Sequence, residues 1–208
     1  MTLARNKYAN NASFDKAPDW LYNGIGQAFD NNAARMAIVG DDPMLLANQD
    51  SDKIGRANKA NSIAYKPARE RITRFNINWN IIAWPGAAWA KRMFPELSGT
   101  EAQSKLADAI FDASRVNTTD PVEEWKKHNE VLRKKCKWLN ELDFASLHFN
   151  GPGTDLVVGL ADGHEWMGGA SIAQNGITCN PNIPSEEVFT TPHALNVNGS
   201  VCSTKPLS

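Results

Sequence analysis

The order of helical and strand patterns is the feature that most constrains the fold of this chain. Over the first 142 residues, segments with apolar residues at helical spacing alternate with short apolar runs that end in turns, although residues 1–11 show neither periodicity. Such alternation is typical of a layered α/β domain, so we predict a mostly parallel sheet. The predicted elements are a helix from Pro18, a strand over 34–40, a helix over 51–74, a strand over 75–85, and helices from Thr100 and from Asp120-Pro121.

The pattern changes after Leu142. Short apolar stretches over 146–149 and 154–160 are joined by a glycine-rich turn, and a later strand is expected over 200–204. We therefore divide the chain into an N-terminal α/β domain, 1–142, and a β-rich unit, 143–208. The second unit is too short to enclose a core easily by itself. We expect the sequence to stop inside its second domain.

Charge is distributed unevenly along the chain. The net charge is only −1, so the chain lacks the overall positive field that would hold nucleic acid or anionic lipid, and we predict neither partner. Residues 141–208 nevertheless contain seven carboxylates and a single basic residue, Lys205. This segment could attract cations or the ammonium group of a substrate, but a chance shortage of lysine explains the charge equally well.

Cysteine usage and the lack of long apolar runs predict the compartment. The three cysteines, Cys136, Cys179 and Cys202, are odd in number and widely spaced, which suits neither a disulfide framework nor a zinc ribbon. No stretch approaches the ~20 apolar residues of a membrane-spanning helix, and the N-terminus lacks the apolar core of a signal peptide. We therefore expect reduced thiols in a cytoplasmic protein.

Several polar residues stand where chemistry is often found. Asp41 and Asp42 follow the first predicted strand and could bind a ligand, but an Asp before proline more often caps the next helix, which is the interpretation we favour. His128 lies among charged residues of a predicted helix, so we expect it at the surface. The pair His164-Glu165 begins like a zinc-binding His-Glu-x-x-His helix but lacks the second histidine.

The most informative stretch runs from Cys179 to His193. Three prolines constrain the backbone on either side of two adjacent carboxylates, Glu186 and Glu187, which suits the rigid presentation of a ligand-binding group. Neighbouring side chains of an extended segment point to opposite faces, so only one of the two is expected to face a site. On this chemistry alone, two solvated glutamates in a proline-rich loop are the simpler interpretation.

Three ordered motifs give this stretch a wider context: 149–160 (FNGPGTDLVVGL), 164–169 (HEWMGG) and 182–193 (NIPSEEVFTTPH). Together they resemble the bacterial dinuclear-metal aminopeptidases of the aminopeptidase T and aminopeptidase S type. Shorter matches upstream, such as Ala17–Tyr22 and His128-Asn129, extend the resemblance over nearly the whole chain.

The resemblance implies a fold and an activity. It implies an N-terminal α/β domain, the incomplete start of a β-rich catalytic α+β domain, and usually a homodimer. It also implies a hydrolase that removes N-terminal residues from peptides with two divalent metal ions, such as zinc or cobalt. Residue-by-residue matching assigns one metal ligand to Glu187, with Glu186 as the fallback.

The same resemblance implies that the other metal ligands lie beyond Ser208. We therefore predict that the 208-residue polypeptide alone is inactive, because a divalent ion held by one carboxylate binds weakly. The alternative hypothesis is a non-catalytic α/β module that serves dimerisation or ligand binding, with Asp41 and Asp42 at the end of a strand.

Overall fold

The computed structural model of the protein describes residues 2–204. It confirms the predicted mixed α/β class. The helices are α1 (Thr2–Tyr8), a 3-10 helix (Asn11–Asp15), α2 (Asp19–Asp30), α3 (Ser51–Thr73), α4 (Ala87–Met93), α5 (Gly99–Ala113) and α6 (Pro121–Leu142). The strands are β1 (Arg35–Val39), β2 (Trp79–Ala83), β3 (Ser146–Gly151), β4 (Thr154–Leu160), β5 (Ser171–Ile172), β6 (Thr178–Cys179), β7 (Asn182–Ile183) and β8 (Pro192–Val201).

The N-terminal residues contain more regular structure than their sequence predicts. We expected no regular element before Pro18, yet α1 and the 3-10 helix both lie there. The guanidinium group of Arg5 donates to the carbonyls of Ser13 (2.6 Å) and Lys16 (2.9 Å), and the side chain of Asn10 caps the 3-10 helix. These contacts join residues 8 and 11 positions apart, so local periodicity could not reveal them.

Residues 2–119 and Ala170–Pro184 form one compact unit. Its main sheet is parallel, as predicted, with the strand order β1-β2-β7. The register pairs Ala37 with Ile81, and Ile82 with Ile183. Strands β5 and β6 form a separate antiparallel pair in the same unit.

Two small cores stabilise this unit. Ala90, Ala102, Leu106 and Ile110, from α4 and α5, form one core against which Ala83 of β2 packs. The other core contains Phe29 of α2, Ala68 of α3 and Ile77, which precedes β2. A capping box at Ser98 and Glu101 begins α5, close to the predicted start of that helix.

Within the described residues, the second unit contains Asp120–Gly169 and residues 185–204. Helix α6 begins as predicted, because the Asp120 carboxylate accepts the Glu123 N–H at 3.0 Å and a proline occupies the first turn. The antiparallel sheet has the order β3-β4-β8. The strand that we expected over 200–204 instead spans Pro192–Val201, because Pro192 and residues 197–201 pair with β4.

The end of the predicted first domain, Leu142, coincides with the end of α6, which the contacts assign to the second unit. Among residues 2–204, no helix is both long enough and apolar enough to cross a membrane.

Candidate metal-ligand segment

The predicted ligand Glu187 and its neighbour Glu186 lie in the segment that follows β7 and a cis Ile183–Pro184 peptide bond. Both glutamates are exposed. The carboxylate of Glu187 turns back along the chain, where Oε2 accepts the backbone N–H of Glu186 at 3.0 Å. Both carboxylates are therefore accessible from solvent.

Helix α6 contacts this segment through His128. The Nε2 atom of His128 lies 2.6 Å from the carbonyl oxygen of Ser185 and 3.6 Å from Oε2 of Glu186. Only 12% of the His128 side chain is exposed, and its ring meets the Trp125 ring edge to face, with the centroids 5.5 Å apart. The expectation of a surface histidine is wrong, because charged neighbours in sequence do not reveal which face of a helix is covered.

A second segment, His164–Gly169, supports the glutamates from another side. Met167 and Phe189 form an antiparallel bridge with backbone hydrogen bonds of 2.9 and 2.8 Å. The Thr190 hydroxyl also donates to the Glu165 carbonyl at 2.8 Å. The resembling motifs at 164–169 and 182–193 are therefore paired in space.

Helix α6 also anchors this second segment. The Asn140 side chain accepts the Trp166 backbone N–H at 2.7 Å and donates to the Trp166 carbonyl at 3.2 Å. Since His128 and Asn140 both belong to α6, a single helix holds both segments. The sequence motifs did not predict this role, and a spacing of 12 residues turns the two side chains about 120° apart around the helix axis, so the helical pattern did not group them either.

Glycines allow the close approach of these backbones. A Cβ atom at Gly168 would lie 2.8 Å from the Glu187 carbonyl oxygen and 3.1 Å from Cγ1 of Val188. At Gly169, φ is +72° and a Cβ atom would lie 2.9 Å from Oδ1 of Asn129 on α6. The Gly168-Gly169 pair therefore fits between α6 and the segment that carries the glutamates.

The donor set limits what the described residues could do with a metal ion. Among residues 2–204, no group of three or more His, Cys, Asp or Glu side chains is placed to hold one. Divalent ions of this class need three or four protein ligands for tight binding. The described residues therefore do not form a complete metal centre, and Glu187 and Glu186 are at most a part of one.

The other carboxylate pair, Asp41 and Asp42, has a structural role. Oδ1 of Asp42 accepts the Met44 N–H at 3.0 Å and the Nε–H of Arg92 at 3.1 Å. The Met44 hydrogen bond and then the Arg92 guanidinium lower the pKa of Asp42 below its usual value. The cap of α3 is Asp50, which accepts from Asp52 and Lys53, so our expectation of a helix cap at Asp41-Asp42 is wrong.

A cleft of about 630 Å³ lies in the second unit, between the end of α6, the β4 end and β8. His164 and His193 line it, together with Asp143 and Asp162. His164 Nδ1 donates to the Ala161 carbonyl, and His193 Nδ1 accepts the Leu195 N–H. Each imidazole ring is therefore oriented by a backbone group of a residue nearby in sequence. The sequence predicted no role for this cleft.

The cysteines lie in separate parts of the chain, and the expectation of reduced thiols stays a prediction. All three lie in the described part of the chain, and none of them forms a disulfide. Cys136 is buried on α6, and burial raises the pKa of its thiol, which makes it a poor nucleophile.

Known proteins match the chain over its whole length. It is 49% identical to aminopeptidase T of Thermus thermophilus over 208 residues, which are 99% of this chain and 51% of that protein. It is 36% identical to aminopeptidase 2 of Geobacillus stearothermophilus, in a match that covers 100% of this chain and 50% of that protein. It is 38% identical to aminopeptidase AmpS of Bacillus subtilis, in a match that covers 99% of this chain and 51% of that protein. The chain thus spans about half the length of these curated relatives.

A solved structure of wild-type AmpT from Thermus thermophilus superposes with a TM-score of 0.87 and 48% sequence identity. The match covers 95% of this chain and 48% of that one. The sequence profile of the thermophilic metalloprotease (M29) family matches residues 1–208. By this match and these relatives, the chain belongs to the thermophilic metalloprotease (M29) family.

Proposed function

We propose that the protein is a metal-dependent aminopeptidase, which releases N-terminal amino acids from peptides. Membership of a metalloprotease family supports the reaction class, and the relatives named as aminopeptidases support the substrate class. Because the chain spans about half of those relatives, the activity is proposed for the protein that contains these residues. The 208-residue polypeptide alone is expected to be inactive.

The observation that carries the proposal is the presentation of Glu186 and Glu187. Their carboxylates are exposed on a segment that α6 and the 164–169 segment fix through backbone contacts. We assign the metal contact to Glu187, with Glu186 as the fallback. Carboxylate oxygens suit zinc and cobalt, and two such ions supply an activated water and polarise the scissile carbonyl.

The chain's own residues would place and orient that carboxylate. The hydrogen bond from the Glu186 N–H to Glu187 Oε2 limits the rotamers of the Glu187 side chain. The bridge between Met167 and Phe189 fixes the backbone two residues further on. Ordering the ligand before the ion arrives lowers the entropy cost of binding.

We further propose a cytoplasmic homodimer that acts on peptides, without nucleic acid or membrane partners. The near-zero net charge and the unpaired cysteines support this setting. The proposed domain division remains an N-terminal α/β domain, 1–142, followed by the start of the catalytic domain, 143–208.

Hydrolysis of an aminoacyl-p-nitroanilide by the protein expressed from its natural gene tests the function. We expect turnover that a chelator abolishes and that added zinc or cobalt restores. An N-acetylated substrate is the control, because it lacks the free amine that an aminopeptidase requires. Turnover that persists in excess chelator would contradict the metal dependence, and no turnover of the free-amine substrate would favour the non-catalytic α/β module.

A further inference from the structure

The contact between His128 and Ser185 assigns α6 a role in placing the glutamates. A carbonyl oxygen can only accept a hydrogen bond, so the 2.6 Å contact requires a proton on Nε2 of His128 that is donated to Ser185. Ser185 directly precedes Glu186 and Glu187 in the chain. The imidazole therefore restrains the backbone at the residue before the carboxylate pair.

The position of the His128 ring is itself fixed. With 12% of its side chain exposed and the Trp125 ring edge against it, the imidazole has little freedom to turn away. Trp125, three residues earlier on the same helix, is 9% exposed, and Leu132, four residues later, is 1% exposed. His128 is thus a polar side chain on the buried face of α6, and its Nε2 contact with the Ser185 carbonyl is directed at the glutamate segment.

An apolar residue in place of His128 would pack on the buried face of α6, but it would leave the Ser185 carbonyl without its hydrogen-bond donor. Losing the partner of a shielded carbonyl is costly, so the segment would move until the oxygen reached water. Such a movement would carry Glu186 and Glu187 with it. A displacement near 1 Å matters for a metal ligand, because ligand distances vary by only about 0.2 Å in working sites.

We propose that His128 is a positioning residue, which holds the Ser185 carbonyl and thereby places Glu186 and Glu187 for their role in the metal site. This inference rests on the proposed function for the role of the glutamates, but the placement itself can be measured without activity.

The first test uses the unaltered protein expressed from its natural gene. With ¹⁵N-labelled histidine and serine labelled with ¹³C at its carbonyl, we expect NMR to show His128 with the proton on Nε2 and a scalar coupling across the hydrogen bond to the Ser185 carbonyl carbon. A neutral ring protonated only on Nδ1 would overturn the proposal, and so would the absence of the coupling. This readout does not depend on any variant folding.

The second test compares two substitutions by amide hydrogen exchange. His128→Phe keeps a ring on the buried face but removes the donor, so exchange of the hydrogen-bonded amides of Glu186 and Phe189 should accelerate by at least about 10-fold relative to α6 itself. His128→Gln keeps an N–H donor at a similar reach and should restore most of the protection. His148→Gln is the matched control, because His148 also bonds through Nε2, to Asp155 at 2.7 Å, but on exposed positions of the β3–β4 sheet.

Kinetics then separate positioning from general damage. We expect His128→Phe to lower kcat for the aminoacyl-p-nitroanilide by about 10- to 100-fold, the usual effect of losing a group that orients a metal ligand, with recovery in His128→Gln. Unchanged exchange at the Glu186 and Phe189 amides in His128→Phe would overturn the proposal, as would faster exchange with unchanged kcat. If the unaltered protein has no activity, the proposed function fails, while the exchange and NMR results still decide the placement.

Discussion

Two pairs of adjacent carboxylates follow strands of the parallel sheet, and their surroundings differ. Asp41 and Asp42 come after β1, whereas Glu186 and Glu187 come after β7. Asp42 already has a cationic partner, Arg92, and a turn N–H from Met44. Glu187 instead accepts a backbone N–H from its own neighbour.

Position after a strand is therefore not sufficient to identify a ligand site in this fold. Ligands of open α/β sheets gather at the carboxyl ends of strands, and each pair follows such a strand along the sequence. A carboxylate that a guanidinium neutralises would have to give up this pairing to bind a metal ion. A carboxylate that accepts a backbone N–H, as Glu187 does, need not give up an ion pair within the described residues, and therefore Glu187 is the better candidate.

The largest expected effect comes from removing one carboxylate of each pair. Glu187→Gln in the protein expressed from its natural gene should lower kcat/KM by more than about 100-fold, because loss of a direct ligand exceeds the usual effect of losing its supporting groups. Asp42→Asn should leave kcat/KM unchanged. Aminopeptidase assays at saturating zinc or cobalt measure kcat/KM of the two variants and of the unaltered protein.

Equal losses of activity in the two variants would remove the distinction between the pairs. If Glu186→Gln is inactive while Glu187→Gln is active, the fallback assignment is the correct one.

A smaller effect is expected from crowding the backbone of the glutamates. Gly168→Ala would place a Cβ atom 2.8 Å from the Glu187 carbonyl oxygen, so the segment must shift. We expect about 10-fold lower kcat and a destabilisation of about 1–3 kcal/mol, the range for overpacked sites. Urea denaturation and steady-state kinetics measure the two quantities.

The control for this substitution is Gly24→Ala. Gly24 is an exposed position in α2, and a Cβ atom there would meet nothing within 4 Å. Alanine should stabilise the helix by about 0.5–1 kcal/mol without altering kcat. A Gly168→Ala protein with unaltered kcat would show that the 164–169 segment does not help to place Glu187.

Much of the fold was predictable from local signals. The Asp120-Pro121 start of α6 depends on a cap within three residues, and the helix over 51–74 closely matches α3. The order of helices and strands was sufficient to predict the parallel sheet. These features depend on near neighbours in sequence, which periodicity and capping rules describe well.

The elements that sequence reasoning missed depend on distant contacts. Strand β7 has only two residues and exists because it pairs with β2, about 100 positions earlier. Strand β8 was expected only over 200–204, and its earlier residues were missed although apolar Leu195 and Val197 alternate with asparagines.

The candidate site was predictable only in part. The motif resemblance identified the glutamates, whereas the supports from α6 were not visible. His128 and Ser185 are 57 positions apart, and Asn140 and Trp166 are 26 apart. A helical pattern predicts which residues share a face, but not which segment of the chain covers that face.

The smallest expected effect is on the stability that the Asp42 carboxylate contributes, and this contribution depends on pH. The Met44 N–H and the Arg92 guanidinium lower the pKa of Asp42 below its usual 3.8, so the folded state favours the ionised form. The carboxylate therefore contributes stability above pH 3.8, and this contribution is lost as the pH falls through the lower folded value. Asp42→Asn should lower the melting temperature slightly at pH 7, and the difference from the unaltered protein should shrink below pH 3.8.

Asp41→Asn is the control for this prediction, because it leaves the Arg92 and Met44 contacts of Asp42 in place. A melting-temperature difference for Asp42→Asn that is the same at pH 7 and in acid would show that these contacts do not stabilise the fold.

Metal content tests the central claim most directly. We would measure bound zinc and cobalt per chain, after dialysis, in the protein expressed from its natural gene and in its Glu187→Gln and Asp42→Asn variants. The account predicts two ions per chain in the unaltered protein and in Asp42→Asn, and fewer in Glu187→Gln. Two tightly bound ions in both Glu187→Gln and Glu186→Gln would contradict the assignment of the metal contact to this segment.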